Sequence, residues 1–408
     1  MKTIGEALRE IVPCFEPAGV VRLPLLEAAG LVLAEDVVAG RDLPGFDNSA
    51  MDGYALRHAD LVPGRGLQVA GESRAGSPGT TVLVQSTAMR IFTGAPVPQG
   101  ADTVVIQENT RVDAGLVYCE PTPAAGANVR QRASDLAKGS TALSRGQALY
   151  AGEIALLAAL GRASASVFRR PRVAILSTGD ELRDIGDELT PGTIVSSNAY
   201  ALATLVRDAG GEAWVLPPAA DRLEEIVERL EQGLRADVLL CSGGVSVGDY
   251  DLVAQALARA DVEIKLWKVA IKPGKPLVFG MHGRVPVLGL PGNPVSAQVT
   301  FEIFVRPGLR KMLGHAAPYP RLIQVELDHD HRHGTGRVEL ARARLEHASD
   351  GRVLARLHAL QGSGSLPSMC AADALVILAG DVERFARGSL LQAVALGAPH
   401  GQAQPPFA

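Results

Sequence analysis

L240-C-S-G-G-V-S-V-G-D-Y-D251 closes an apolar stretch, turns on paired glycines and hydroxyls, and ends in two acids. An anion would use the N–H groups and hydroxyls of such a turn. Asp249 and Asp251 would repel it unless a cation stood between. Just upstream, A236-D-V-L-L-C241 reads as a buried strand, and D251-L-V-A-Q-A-L-A-R-A260 downstream reads as a helix. Strand, glycine loop and helix make one unit of an open α/β sheet, and the neighbouring sequence repeats it. R172-V-A-I-L-S-T178 precedes a helix from Ser197 to Gly210. E212-A-W-V-L-P217 precedes R222-L-E-E-I-V-E-R-L-E-Q-G233, and V285-P-V-L-G-L290 precedes a helix opening at Pro294. These runs predict a mostly parallel sheet covered on both faces over residues 170–315.

Outside this block the pattern changes. Thr3 followed by Glu6 is a capping-box signature for a first helix. Helix–glycine–strand phrases over 25–39 and 153–168 predict one small mixed domain built from residues 1–43 and 137–169. The longest apolar helix, residues 151–161, is expected to be buried. Between the two halves, Y54-A-L56, T81-V-L-V-Q85, M89-R-I-F92 and D102-T-V-V-I-Q107 are short strands among Gly/Pro turns, predicting an inserted β-rich domain over 44–136. Strands return over 318–397, as a C-terminal β barrel or sandwich, before a frayed tail. The expected fold is therefore multidomain α/β.

Composition narrows the function classes. A net charge of −4 without a basic tail or stripe argues against nucleic acid. No run approaches the ~18 apolar residues of a membrane span. The N-terminus lacks the apolar core of a signal peptide, and cysteines 14, 119, 241 and 370 are too scattered for a disulfide framework or zinc knuckle. A soluble cytoplasmic protein is expected.

Three glycine loops follow strands and should face one crevice, where open α/β sheets bind ligands. They are S177-T-G-D-E-L182, S242-G-G-V-S-V-G-D-Y-D251 and L290-P-G-N-P-V-S296. None matches GxGxxG in its usual setting, or GxxxxGKS. Gly179, Asp180, Ser242, Gly243, Gly244, Ser246, Pro291, Asn293 and Pro294 are candidate binding residues. Pro294 suits a first helical turn, and Asn293 is either its cap or a ligand contact. Asp180, Glu181, Asp221, Asp249 and Asp251 flank these turns. Capping explains one acid per loop but not the pairs, whereas Mg²⁺ is commonly held by one or two carboxylates plus substrate phosphates.

Positive charge follows in K265-L-W-K-V-A-I-K-P-G-K275. As one extended strand, it would put Lys268 and Lys272 on one face, with Trp267, Val269 and Ile271 on the other; Lys275 lies beyond a Pro-Gly turn. A lysine about 4 Å from an anion gains about 4 kcal/mol at an effective dielectric of 20, before desolvation. Cys241 reads as packing. D328-H-D-H-R-H333 reads as an exposed hairpin turn rather than a metal cluster.

D47-N-S-A-M-D-G-Y-A55, F92-T-G-A-P96, S177-T-G-D-E-L182, I271-K-P-G-K-P276 and L290-P-G-N-P-V-S-A297, with the opening stretch, resemble the bacterial molybdopterin molybdenumtransferases, the MoeA family, and the related E domain of gephyrin. The likeness covers nearly the whole chain in order. It implies four domains, an elongated homodimer with a cleft lined by both subunits, and a Mg²⁺-assisted reaction of adenylated molybdopterin with molybdate that releases AMP. By motif correspondence it implies that Asp52 and Thr93 reach the cleft from the inserted domain. Glu181, Asp221 and Asp251 would handle metal or substrate, and Lys268 and Lys272 molybdate or phosphate. Pro291 and Pro294 would shape the pterin-side loop, with Arg342 and Ser365 contacts from the last domain. One departure is R130-Q-R-A-S-D135, where the family often reads R-x-x-G-E-D; Ala133 stands for the glycine. Substrate would arrive from a molybdopterin adenylyltransferase. The rival readings are such an adenylyltransferase itself and a non-catalytic pterin-binding scaffold.

Overall fold

The computed structural model describes residues 1–244 and 252–397. It divides into two compact units, Met1–Arg22 with the chain from Ser166 onward, and Leu23–Ala165.

The larger unit is built on a six-stranded sheet. Its order is Glu212–Val215, Arg172–Ser177, Val238–Ser242, Val285–Leu290, Pro276–His282, Glu263–Lys268. The first four strands are parallel and the Pro276–His282 strand is antiparallel to both its neighbours. The strands read as unbroken apolar runs because both faces are covered, and alternate residues serve opposite layers. Val173, Ile175, Val238 and Leu240 pack with Leu202 and Val206 of helix Ser197–Asp208. Ala174, Leu176, Leu239 and Cys241 pack with Ile226 and Leu230 of helix Leu223–Gly233 and with Val253 and Leu257 of helix Leu252–Arg259. Burial raises the Cys241 thiol to about 12, as befits a packing residue.

The expected capping box is present, Thr3 Oγ1 accepting from Glu6 N–H and Glu6 accepting from Thr3 N–H. The helix it opens, Ile4–Ile11, buries Ala7 and Ile11 in the α/β core, along with Phe15. The sequence reading had grouped these residues with 23–43. Their apolar side chains find cover in the later half of the chain.

The last part is a closed barrel. Leu322–Leu327, Val353–Leu357, Val338–His347, Ala374–Leu378 and Leu390–Ala395 pair in a ring, the fourth strand meeting both third and fifth. Closure leaves no edge in the ring. Ala341 and Ala343 fill the interior, while Leu340 turns outward into the α/β core.

In Leu23–Ala165 a six-stranded sheet runs Thr103–Ile106, Gly53–Leu56, Thr87–Ile91, Leu67–Ser73, Leu116–Cys119, Thr110–Asp113. The strand expected at T81-V-L-V-Q85 is a loop; Val84 N–H is taken by the Thr87 hydroxyl, and Val82 and Val84 stand exposed. The apolar helix Ala151–Ala159 is not the buried element expected. Of its residues only Leu157 is fully covered, because Ala151, Ala155, Ala158 and Ala159 share one face at i, i+4, i+7 and i+8 and that face is left exposed. Ala133, which stands where the family often has glycine, adopts a left-handed conformation with φ 64°.

Candidate active site

A cavity of 420 Å³ opens where the parallel strands end. It is lined by Ser177, Thr178 and Glu181 of the first loop, Ser242 and Gly243 of the second, Gly292, Asn293 and Pro294 of the third, and Ser196–Asn198. Strand register explains the convergence, since Ser177 pairs with Ser242 and Ser242 with Leu290. Glycine is required at the closest approach. Gly243 has φ 94°, and a Cβ there would stand 2.6 Å from the Thr178 carbonyl oxygen.

The cavity is rich in uncommitted donors. The hydroxyls of Ser177, Thr178 and Ser196 are buried and meet no hydrogen-bond partner among the described residues. Two helices, Ser197–Asp208 and Pro294–Thr300, begin at its wall with no side-chain cap. The first N–H groups of Ser197–Asp208 and the dipoles of both helices favour an anion there; in the second helix Pro294 has no N–H and Val295 N–H is taken by the Ser363 carbonyl.

Asn198, which the sequence reading passed over, ties the walls together. Its Nδ2 donates to Ser242 Oγ at 2.8 Å and to the Gly292 carbonyl at 2.8 Å. The signal was S196-S-N198 at a helix start facing the strand ends. Asn293 does occupy the N-cap position, but its side chain donates outward, to Ser363 Oγ at 3.0 Å. Val295 N–H donates to the Ser363 carbonyl at 3.0 Å, so the Q361-G-S-G-S365 loop is fastened to this wall. Ser365 itself begins the short helix Leu366–Cys370, and Pro291 is buried.

The acids gather beside the first loop. Ala219 N–H donates to Ser177, and Gly179 N–H to Ala219. This pairing lays P217-P-A-A-D221 along the glycine loop, where Asp180 Oδ1 accepts from Asp221 N–H at 3.0 Å. Burial first, then the charges of Asp180 and Glu181, hold the Asp221 carboxyl above its ordinary range; a backbone hydrogen bond at Asp180 opposes them. A cation would relieve that repulsion. Among the described residues no group of three metal-ligating side chains converges. Carboxylates of this kind, set beside one another in an open cleft, are the protein's usual share of a Mg²⁺ site that substrate phosphate completes. Ser246, Asp249 and Asp251 lie outside the described residues.

None of Lys268, Lys272 and Lys275 lines the cavity. The extended run expected from Lys265 to Lys272 is broken in two. Glu263–Lys268 ends the central sheet, and Ile271–Lys272 leaves it to pair in parallel with Val338 and Glu339 of the barrel. The cause is the N-terminus, whose Lys2 carbonyl takes the Ala270 N–H. Lys268 lines a separate groove with Glu6 and Glu10. Lys272 Nζ donates to Glu339 Oε2 at 3.0 Å, and Lys275 is exposed. Between them Gly274 packs against Thr300 and Ser296 of the helix that starts at the cavity, where a Cβ would stand 2.5 Å from Thr300 Cγ2.

Arg342 differs most from its expected place. It is fully buried, and its Nη2 donates to the carbonyls of Leu360 at 3.0 Å and Gly362 at 3.1 Å. Its Nη2 thus orders the loop that carries Ser363, while Nε and Nη1 are buried with no hydrogen-bond partner among the described residues. In the smaller unit, Asp52 Oδ1 accepts from Thr93 N–H at 2.7 Å and from its hydroxyl at 2.8 Å. Those bonds, backbone first, hold the Asp52 carboxyl below its usual range.

Comparison with known proteins adds the following. Family models match residues 2–161 as the MoeA N-terminal region (domains I and II), 174–311 as a probable molybdopterin binding domain, and 324–396 as the MoeA C-terminal region (domain IV). A molybdopterin molybdenumtransferase from a Nostoc species is 40% identical over 366 residues, 87% of this chain and 84% of that protein. Molybdopterin molybdenumtransferase 2 of Mycobacterium tuberculosis is 38% identical over 405 residues, 96% of this chain and 99% of that protein. The crystal structure of a molybdopterin biosynthesis MoeA protein from Pyrococcus horikoshii superposes with a TM-score of 0.83 at 29% identity, covering 97% of this chain and all of that one.

Proposed function

This chain belongs to the MoeA family and has the activity of a molybdopterin molybdenumtransferase, and on that premise we propose that the reaction runs in the cavity at the ends of the parallel strands. Adenylated molybdopterin lies across the three loops. Its phosphates take the free hydroxyls of Ser177, Thr178 and Ser196 and the N–H groups at the start of helix Ser197–Asp208. The observation that carries this reading is that buried donor set. Unpaired hydroxyls cost stability unless a ligand satisfies them.

Glu181 and Asp221 are the described residues that would hold Mg²⁺, with Asp251 as the further candidate. The ion would neutralise the substrate's phosphates and polarise the P–O bond that breaks. An oxygen of molybdate or of water attacks the adenylyl phosphorus; the pyrophosphate P–O bond breaks and its electron pair stays with the molybdopterin phosphate. AMP keeps the attacking oxygen, which in the molybdate case requires the Mo–O bond to break as molybdenum passes to the dithiolene sulfurs. Lys272 supplies positive charge for the tetrahedral oxyanion, supported by the packing of the K-P-G-K turn on the helix at the cavity wall; Lys268, in its separate groove, is the further candidate. Asp52 and Thr93 sit in the other unit, and in our reading they complete the cleft of a second subunit in a homodimer. Substrate hand-over from a molybdopterin adenylyltransferase fits the adenylated substrate. A cytoplasmic setting is consistent with four free cysteines. Among the described residues, no helix is long and apolar enough to cross a membrane.

The test is AMP release from adenylated molybdopterin, measured with and without molybdate and Mg²⁺. Release should require the metal and rise with molybdate, and Asp221→Asn should lower it by about 100-fold, in line with loss of a charge-stabilising group. Attachment of AMP from ATP, or undiminished release by Asp221→Asn, would refute the assignment.

A further inference from the structure

D328-H-D-H-R-H333 is not wholly the exposed turn its composition implies. His331–Arg332 pairs with Arg384–Phe385, and His333 turns inward to 8% exposure. The His333 Nε2 lies 2.7 Å from the Val382 carbonyl and 3.1 Å from that of Ala379. Carbonyls only accept, so Nε2 carries a proton. Its Nδ1 faces Glu339 Oε2 at 3.2 Å, the same oxygen that accepts from Lys272 Nζ at 3.0 Å, and because a carboxylate only accepts, the contact braces Glu339 through a proton on Nδ1 as well. Glu339 is 3% exposed, whereas the Lys272 side chain keeps 40% of its surface open. A chain of contacts thus runs from barrel backbone through a buried imidazole and a buried carboxylate to a half-open ammonium.

We propose that Glu339, braced by His333, is a positioning residue for Lys272, through which the C-terminal barrel takes part in binding the oxyanion substrate. The proposal rests on the reading that Lys272 meets that substrate. A lysine has a flexible four-carbon stem, and fixing it only when substrate arrives subtracts from affinity. Glu339 fixes it beforehand. The ammonium has three donors and the carboxylate engages one, which leaves the others for an anion. Docking of the two strands does not need this side-chain pair, because the Ile271–Lys272 strand is already joined to Val338 and Glu339 through the backbone. Burial of a carboxylate here is costly, and a role in placing the ammonium accounts for it.

The test is the molybdate dependence of AMP release, with molybdate titrated directly onto the protein as a second readout. Glu339→Gln keeps the shape and removes the charge. It should raise the KM for molybdate about tenfold, equal to about 1.4 kcal/mol, with kcat within about twofold. His333→Gln should shift KM in the same direction by less. Lys272→Ala should raise KM further, and adding Glu339→Gln to it should change nothing more, because both act through one ammonium. Additive losses in the double variant, or a Glu339→Gln that lowers kcat and melting temperature at constant KM, would overturn the proposal. If Lys272→Ala leaves KM unchanged, the placement of the oxyanion at Lys272 fails and this proposal with it. A normal Lys272→Ala effect beside a silent Glu339→Gln removes this proposal alone. If Glu339→Gln does not fold, Glu339→Asp, which keeps the charge but withdraws it from Lys272 by one methylene, should still raise the KM for molybdate, and an unchanged KM would overturn the proposal.

Discussion

Asp221 shows how a single carboxyl couples stability to the reaction. Its folded pKa is raised, so the folded chain holds that proton more tightly than the unfolded chain. The sign follows: the contribution is favourable at low pH and is lost as pH rises from the ordinary value of 3.8 through the folded pKa. At pH 7 without metal, Asp221→Asn should therefore raise the melting temperature, and below pH 3.8 the difference should vanish. Saturating Mg²⁺ at about 100 times its Kd should stabilise the parent by about 2.7 kcal/mol and the variant much less. Equal stabilisation of both would remove Asp221 from the metal site. Ala133 offers a second single-residue test. Its left-handed backbone costs an L residue roughly 1–2 kcal/mol, part of which glycine gives back as unfolded-chain entropy. Ala133→Gly should raise the denaturation midpoint by the equivalent of about 0.5 kcal/mol, and a lower midpoint would contradict the strain. The family's glycine at this place marked the turn in advance. Sequence could not show that the alanine would keep it.

Among the elements, the parallel strands and their glycine loops were the most legible, because strands covered on both faces read as continuous apolar runs. What escaped was decided by partners distant in sequence. K265–K275 alternates like one strand, but Lys2 pairs with Ala270 and the barrel recruits Ile271–Lys272, so one strand became two. T81–Q85 has the composition of a strand and lost its place to local hydroxyl bonding at Thr87. Asn198 was legible only as a helix residue, since its two acceptors come from loops 44 and 94 residues on. Asn198→Ala would leave the Ser242 hydroxyl and the Gly292 carbonyl without this partner. It should cost about 1–3 kcal/mol in urea unfolding and weaken binding of the adenylated substrate. Unchanged affinity would show that Asn198 does not shape the cleft.

At the scale of the whole molecule, the proposal that two subunits share each cleft can be tested by mixing damaged chains. Asp52→Asn and Lys272→Ala, assayed at molybdate far below the raised KM of the latter, should each be nearly inactive alone. If the lesions fall on opposite sides of a shared cleft, random reassociation restores one intact site in half of the dimers, and about a quarter of parental activity. If every cleft belongs to one chain, the mixture stays inactive. The barrel and the α/β part were legible as separate stretches of sequence. Their covalent discontinuity was not, because nothing near Ile4 announces a partner beyond Ser166.

That discontinuity sets a timetable for synthesis. Phe15 lies against Gly308, where a Cβ would stand 2.6 Å from its ring, and Lys311 Nζ donates to the Pro13 carbonyl at 2.9 Å across 298 residues of chain. At 5–20 residues per second, the first helix leaves the ribosome roughly 15–60 s before these partners exist. Meanwhile Leu23–Ala165 emerges complete and can fold by itself. A nascent chain arrested near residue 250 should resist protease across that stretch while its first fifteen residues are cut. Only release of the full chain should protect them.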